Sequence, residues 1–300
     1  MFSTKKHSIG SFLDGIEGTL SRNEPMGKHS RWNMGGTAQC YFSASGKTSV
    51  VQLMCQLPGN IPITWLGSGN NTLVRDGGIK GVTLSTRVGL AVIRPLGDKR
   101  FYAEAGADNA TLARYMSDKG FEELEFLSLS SGTLGGALAM GAVEEDKWAS
   151  IKQLECVNRD GDLIWCEMSR VPQLLGCADP KKQAWIVGAE FEFKQQQTKR
   201  NKALLLFKNM PSRFTGKSTS TGIYHASSQV NPASLLQECG LAGYALGGAA
   251  FDRRSPNELA LSNRSSVSDV EALVGYGQRM VKQKFDVQLH SLINFVGERT

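Results

Sequence analysis

With 300 residues, 41% of them apolar and 21% charged, the chain is long enough for two domains with separate cores, and extended disorder is excluded away from the ends. A net charge of +6 and a pI near 9.0 favour phosphate-bearing partners, but the Lys and Arg residues are scattered, so no nucleic-acid surface is expected. The six cysteines include no C-x-x-C pair, which leaves a metal site without support. No apolar run is long enough for a signal peptide or a membrane span; a cytoplasmic location and a monomer are the default expectations.

In chain order, Phe12 to Leu20 is a short amphipathic stretch that runs into the polar Ser21–Pro25. Val50 to Leu57 reads as a helix, Ile63 to Leu66 as a buried strand, and Gly81 to Leu84 as another. Ala110 to Gly120 has a helical pattern, with Gly120 just past its end. Ile151–Val157 and Leu163–Glu167 flank Asn158-Arg159-Asp160-Gly161, whose Asp-Gly predicts a hairpin turn. Cys156 and Cys166 lie on either side of that turn and could face each other, or simply be two small strand residues. Trp185, Val187, Ala189, Phe191 and Phe193 alternate, which predicts a strand with one apolar face; Trp165 and Trp185 fit strand cores better than a stacking platform. The polar stretch Lys194–Lys202 reads as a solvated linker. Beyond it, Pro232 to Gly240 and Ser268 to Phe285 read as helices, the second with Ser268 as N-cap and Glu271 completing a capping box. A last strand is expected over Gln288–Val296.

Two stretches carry candidate chemistry. Leu66-Gly67-Ser68-Gly69-Asn70-Asn71-Thr72-Leu73-Val74 follows a predicted strand directly. Gly67 and Gly69 let the backbone turn and expose successive N–H groups, and Ser68, Asn70 and Asn71 add side-chain donors. Such a nest suits a diphosphate without a lysine. A plain Gly-Asn loop without a ligand is the bland alternative. The second stretch, Ser130 to Ala142, contains Gly132, Thr133, Gly135 and Gly136 and hardly any bulky side chain, so a flat ligand or another backbone can lie against it. Close helix packing gives the same composition. Both stretches in one half of the chain favour a bound dinucleotide.

On these residues the chain resembles the UDP-N-acetylenolpyruvoylglucosamine reductases. Gly18-Thr19-Leu20, Asn23-Glu24-Pro25-Met26 and Trp32 to Ala38 are similar to that family's entry segment. Gly67 to Val74, with Asp76-Gly77-Gly78, resembles its first flavin-phosphate loop and Gly132 to Ala137 its second. Leu235 to Tyr244 and Gly247-Gly248-Ala249 resemble a helix and loop of its substrate domain, so the likeness runs from about Gly18 to Gly297. It implies an α+β architecture: an FAD-binding fold of the vanillyl-alcohol-oxidase-like type with a smaller α+β substrate domain. The corresponding division is a segment over 1–30, an FAD-binding domain over 31–193, a substrate-binding domain over 203–285, and a strand over 286–300 returning to the first half.

The resemblance also implies FAD as cofactor, NADPH as hydride donor, and a UDP-sugar as small-molecule substrate, with peptidoglycan precursor synthesis as the role. In the family, hydride passes from nicotinamide to flavin and on to an enolpyruvyl alkene. A serine protonates the product enol, while an arginine and a glutamate polarise its carboxylate. The cofactor would be held by Gly67, Ser68, Gly69, Asn70, Asn71, Gly132, Thr133, Gly135 and Gly136. The catalytic positions depart from the pattern. The serine falls at Thr221 or Gly222 by one alignment and at Ser227 by another, so Thr221 is the candidate proton donor and Ser227 the alternative. Leu292 stands where the glutamate is expected, and Leu174 to Asp179 replaces the arginine motif. His225, in the altered segment, is a further candidate acid.

Overall fold

The structure, a computed structural model, describes residues 9–141, 148–175, 183–194, 222–226 and 230–300. The expected linker beyond Lys194, the substituted arginine region beyond Leu175, and both Thr221 and Ser227 lie outside these residues. In chain order the strands and helices are β1 (Gly18–Pro25), β2 (Thr37–Ala44), α1 (Lys47–Gln56), β3 (Ile63–Leu66), β4 (Thr72–Val74), β5 (Ile79–Ser85), β6 (Ile93–Pro95), β7 (Arg100–Glu104), α2 (Asn109–Asp118), α3 (Leu134–Gly141), β8 (Ile151–Asn158), β9 (Leu163–Cys166), α4 (Val171–Leu175), β10 (Ala184–Glu192), β11 (Tyr224–Ala226), α5 (Pro232–Glu238), β12 (Ala245–Leu246), β13 (Ala249–Phe251), β14 (Leu259–Leu261), α6 (Val267–Phe285), β15 (Leu289–Ser291) and β16 (Asn294–Val296). They form two compact units.

The first unit contains residues 40–68 and the described residues of 81–194, with residues 9–21. It has two layers of core. α1 buries Val50, Leu53 and Met54, one face at helical spacing continued by its C-cap Leu57, under Phe42, Val82 and Leu84. That face belongs to the sheet ordered β1-β2-β5-β3, in which Ile63–Leu66 pairs in parallel with Val82–Ser85. The other core lies on the sheet ordered β6-β7-β10-β8-β9, where Phe101, Leu112, Leu134, Phe191 and Phe193 pack together. Lys47 at the start of α1 donates to Tyr102 Oη at 2.8 Å and to Glu155 Oε2 at 2.6 Å, tying helix to sheet with a satisfied buried charge.

Several local expectations need correcting. Phe12–Leu20 is no single amphipathic element: Ile9–Leu13 forms a 3-10 turn and the polar run to Pro25 is strand β1. The alternating residues of β10 do not share one core. A register shift against β8 between Ile186 and Gly188 reverses the phase, so Trp185 and Val187 join the α1 layer while Ala189, Phe191 and Phe193 join the other. Trp185 stacks on Trp65 at 5.7 Å, whereas Trp165 on the edge strand β9 is 47% exposed and meets Tyr102 edge-on. The hairpin forms as expected, with Gly161 at φ +89° and Cys156 and Cys166 as buried free thiols 3.5 Å apart.

The second unit contains residues 22–39, 69–80 and the described residues from Gly222 onward. Helix α6 is its centre, burying Val270, Leu273, Val274 and Val281 against Tyr224, Leu236 and Phe251. Its cap lies two residues earlier than the sequence suggested. Ser266 accepts from Asp269 N–H and Asp269 returns the bond, so the capping box is Ser266/Asp269. Ser268 and Glu271 have other partners: Ser268 donates to Asp76, and Glu271 accepts from Arg75 and Arg299. The expected terminal strand is broken by a turn in which Ser291 Oγ bonds Ile293. Thus β15 pairs antiparallel with β11, and β16 pairs in parallel with β4.

Candidate functional site

The first glycine stretch begins where β3 ends. Thr86 N–H donates to Leu66 O, extending the ladder to the last strand residue, and the chain then turns into Gly67-Ser68. A Cβ on Gly67 would stand 2.7 Å from Thr133 Oγ1, so the first stretch reaches the second at this point. Such a distance is closer than carbon and oxygen tolerate, and glycine is what permits the approach. Gly69 has φ +71°, and its Cβ would overlap His29 O at 1.8 Å; the entry segment therefore also requires a glycine here. Asn71 O accepts from Asn294 N–H at 2.7 Å. The side chains of Ser68, Asn70 and Asn71 are half-buried.

The second stretch runs antiparallel to the segment after β7. Asn109 N–H donates to Gly132 O, Leu134 N–H to Ala107 O and Gly135 N–H to Ala105 O, with an isolated bridge between Asp108 and Thr133. The first two amides of α3 are therefore already paired. Gly135 owes its identity to this docking, because a Cβ there would stand 2.8 Å from that of Ala105. Gly136 differs: it is exposed, and a Cβ there would meet nothing closer than Thr133 Oγ1 at 3.5 Å. Buried Thr133 thus sits between Gly67 and Gly136, accepting weakly from Gly136 N–H at 3.4 Å. The docking segment Ala105-Gly106-Ala107, missed in the sequence reading, signals itself by its small residues. Gly106 lies against Thr86 O, where a Cβ would be 2.2 Å away.

In the second unit, two of the positions where the sequence departs from the family pattern, Gly222 and Leu292, lie close together beside β11. Leu292 N–H donates to Ile223 O at 2.8 Å, next to Gly222. Gly222 has no space for a side chain: its Cβ would lie 2.0 Å from Asn257 Nδ2. Asn257 behaves as a one-residue edge strand. Its carbonyl accepts from Ile223 N–H, its Oδ1 accepts from Tyr224 N–H, and its Nδ2 donates to Tyr224 O. The sequence reading did not single out Asn257, which sits 35 residues downstream of Gly222 in the β13–β14 turn. His225 is exposed on β11, directly opposite His290 of β15. Burial raises the Tyr224 phenol well above its ordinary range, and its hydroxyl donates to Val274 O at 2.7 Å.

Comparison with known proteins defines the class first. A family described as an FAD binding domain matches residues 40–167, and one described as the UDP-N-acetylenolpyruvoylglucosamine reductase C-terminal domain matches residues 196–296. The UDP-N-acetylenolpyruvoylglucosamine reductase of Methylococcus capsulatus is 32% identical over 94% of this chain and 94% of its own length; that of Alkalilimnicola ehrlichii is 31% identical over 94% and 96%. A crystal structure of the Thermus caldophilus reductase covers 94% of this chain and 99% of its own at a TM-score of 0.65 and 17% identity, a likeness of fold. The protein is an α+β chain with the FAD-binding fold. It belongs to the UDP-N-acetylenolpyruvoylglucosamine reductase family.

Proposed function

We propose that this chain is an FAD-dependent, NADPH-using reductase that converts UDP-N-acetylglucosamine enolpyruvate to UDP-N-acetylmuramate, in the cytoplasm and as a monomer, for peptidoglycan precursor synthesis. The observation that carries the cofactor assignment is the approach of Gly67 to Thr133, which joins two backbone stretches nearly free of bulky side chains. Gly67, Ser68, Gly132, Thr133 and Gly136 would hold the FAD diphosphate through backbone N–H and hydroxyl dipoles, with Gly135 allowing the close docking that shapes the stretch. Gly69, Asn70 and Asn71 continue the first stretch and would add donors. When bound, FAD supplies a two-electron carrier between NADPH and the substrate alkene. The flavin half is read as residues 31–193 and the substrate half as 203–285, with 286–300 as a returning strand; within these bounds 31–39, 69–80 and 286–300 belong to the compact unit centred on α6. Thr221 is the proposed proton donor and Ser227 the alternative.

A second reading is favoured by one observation. Asn257 fills the place a side chain at 222 would need, and an apolar residue stands at 292, so a proton donor at 222 and a carboxylate-polarising group at 292 would both be missing. Under this reading the chain binds flavin or a UDP-sugar but does not turn over. The deciding experiment is NADPH oxidation by the FAD-loaded protein with and without UDP-N-acetylglucosamine enolpyruvate. Sugar-dependent oxidation that Thr221→Val or Ser227→Ala abolishes supports the reductase. Bound flavin that NADPH does not bleach, with or without the sugar, supports the second reading.

A further inference from the structure

We propose that His225 and His290 form a two-histidine binding site for a divalent first-row transition metal on the outer face of the β11–β15 ribbon. The two residues are directly opposite in the antiparallel register, Tyr224 pairing with Ser291, His225 with His290 and Ala226 with Leu289. The Leu292–Ile223 hydrogen bond sets the phase of the ladder: Ile223/Leu292 is a hydrogen-bonded pair, so His225/His290, two residues along, is one as well. Such pairs have Cα atoms about 5.5 Å apart and send both side chains to the same face. Tyr224, Ala226 and Leu289 point into the core, which leaves both imidazoles exposed on the other side.

From that placement two ring nitrogens can converge on one ion at the usual metal–imidazole distance of about 2 Å. The chemistry selects the occupant. Imidazole pairs suit Zn, Cu and Ni ions rather than Mg or Ca, which prefer oxygen. The described residues at the alternate positions of the two strands, buried Ile223, exposed Gln288 and half-buried Leu292, carry no charge, so no cation on the strands opposes a metal. Water would complete the coordination shell. An ion here would pin two three-residue strands together, one joined directly to Gly222 and the other to Leu292, and so couple metal occupancy to the rigidity of the altered catalytic positions.

The test uses untagged, FAD-loaded full-length protein and Ni(II), chosen because thiolates compete less for it than for Zn(II) or Cu(I). Isothermal titration calorimetry near neutral pH is expected to show one tight Ni(II) per chain. His225→Gln and His290→Gln should each weaken it by about tenfold or more, because the second imidazole binds as an intramolecular partner. The double substitution should bind no more tightly than the weaker single one. Circular dichroism of each variant confirms folding, which exposed substitutions leave intact. Retention of wild-type Ni(II) affinity in either single variant would overturn the proposal, as would wild-type protein that binds no more tightly than the double variant.

Discussion

Gly67 and Gly222 are glycines for opposite reasons, and each makes a residue-level prediction. At Gly67 the missing side chain brings two main chains together. Gly67→Val should weaken FAD binding about tenfold to a hundredfold, from about 1–3 kcal/mol of overpacking against Thr133. Thr133→Ala, which also removes a proposed diphosphate donor, should combine with Gly67→Val to a loss smaller than the sum of the two, as coupled neighbours do. Flavin fluorescence titration of the apoprotein measures both. Additive losses would mean that the two residues do not meet. At Gly222 the missing side chain admits Asn257, so placing a serine there does not restore a proton donor. Gly222→Ser is expected to lower stability by about 1–3 kcal/mol in urea denaturation, because Asn257 must give up its contacts with the β11 backbone. A neutral Gly222→Ser would show that the space is free. The run of glycines around 67 and 132 was legible in the sequence because small residues in series have few uses. Asn257 was not, since its significance comes from a contact across 35 residues that no local pattern encodes.

At the scale of elements, α6 shows how competing local rules are settled by tertiary partners. Two capping patterns overlap, Ser266/Asp269 and Ser268/Glu271, and both satisfy the spacing rule. The second is diverted because Glu271 faces Arg75 and Arg299, and Ser268 faces Asp76. The hydrogen bond from Arg75, supported by Arg299, brings the Glu271 pKa from 4.5 down to about 2. A carboxylate whose folded pKa is depressed stabilises the fold above its unfolded pKa, and that contribution disappears as pH falls from about 4.5 toward 2. Glu271→Gln should therefore lower stability by about 1 kcal/mol at neutral pH, after screening by solvent, and flatten the stability–pH profile across that window. Chemical denaturation at pH 7 and pH 3 tests this; an unchanged profile would refute it. Ser266→Ala should cost about 1 kcal/mol as a lost N-cap, read from the same denaturation curves; a neutral Ser266→Ala would return the cap to Ser268. Elements with one dominant signal, such as the Asp-Gly hairpin and the α1 stripe, were readable in advance. The β10 bulge was not, because a register shift depends on the partner strand.

For the molecule as a whole, the order and spacing of short motifs carried the fold, and membership in the reductase family agrees with it. What spacing could not supply was the setting of the positions that depart from the family pattern, where Leu292 and Gly222 stand beside a ribbon held by Asn257 on one edge. Flavin content is the quantity on which the account turns, because the reductase reading requires a bound FAD whatever residue donates the proton. The direct measurement is FAD stoichiometry of wild-type protein and Gly67→Val after reconstitution, with folding checked by circular dichroism. One FAD per wild-type chain, released on denaturation, is expected, together with a folded Gly67→Val that binds it much more weakly. A folded wild-type chain that takes up no FAD, or a Gly67→Val chain that binds it undiminished, would contradict the cofactor assignment.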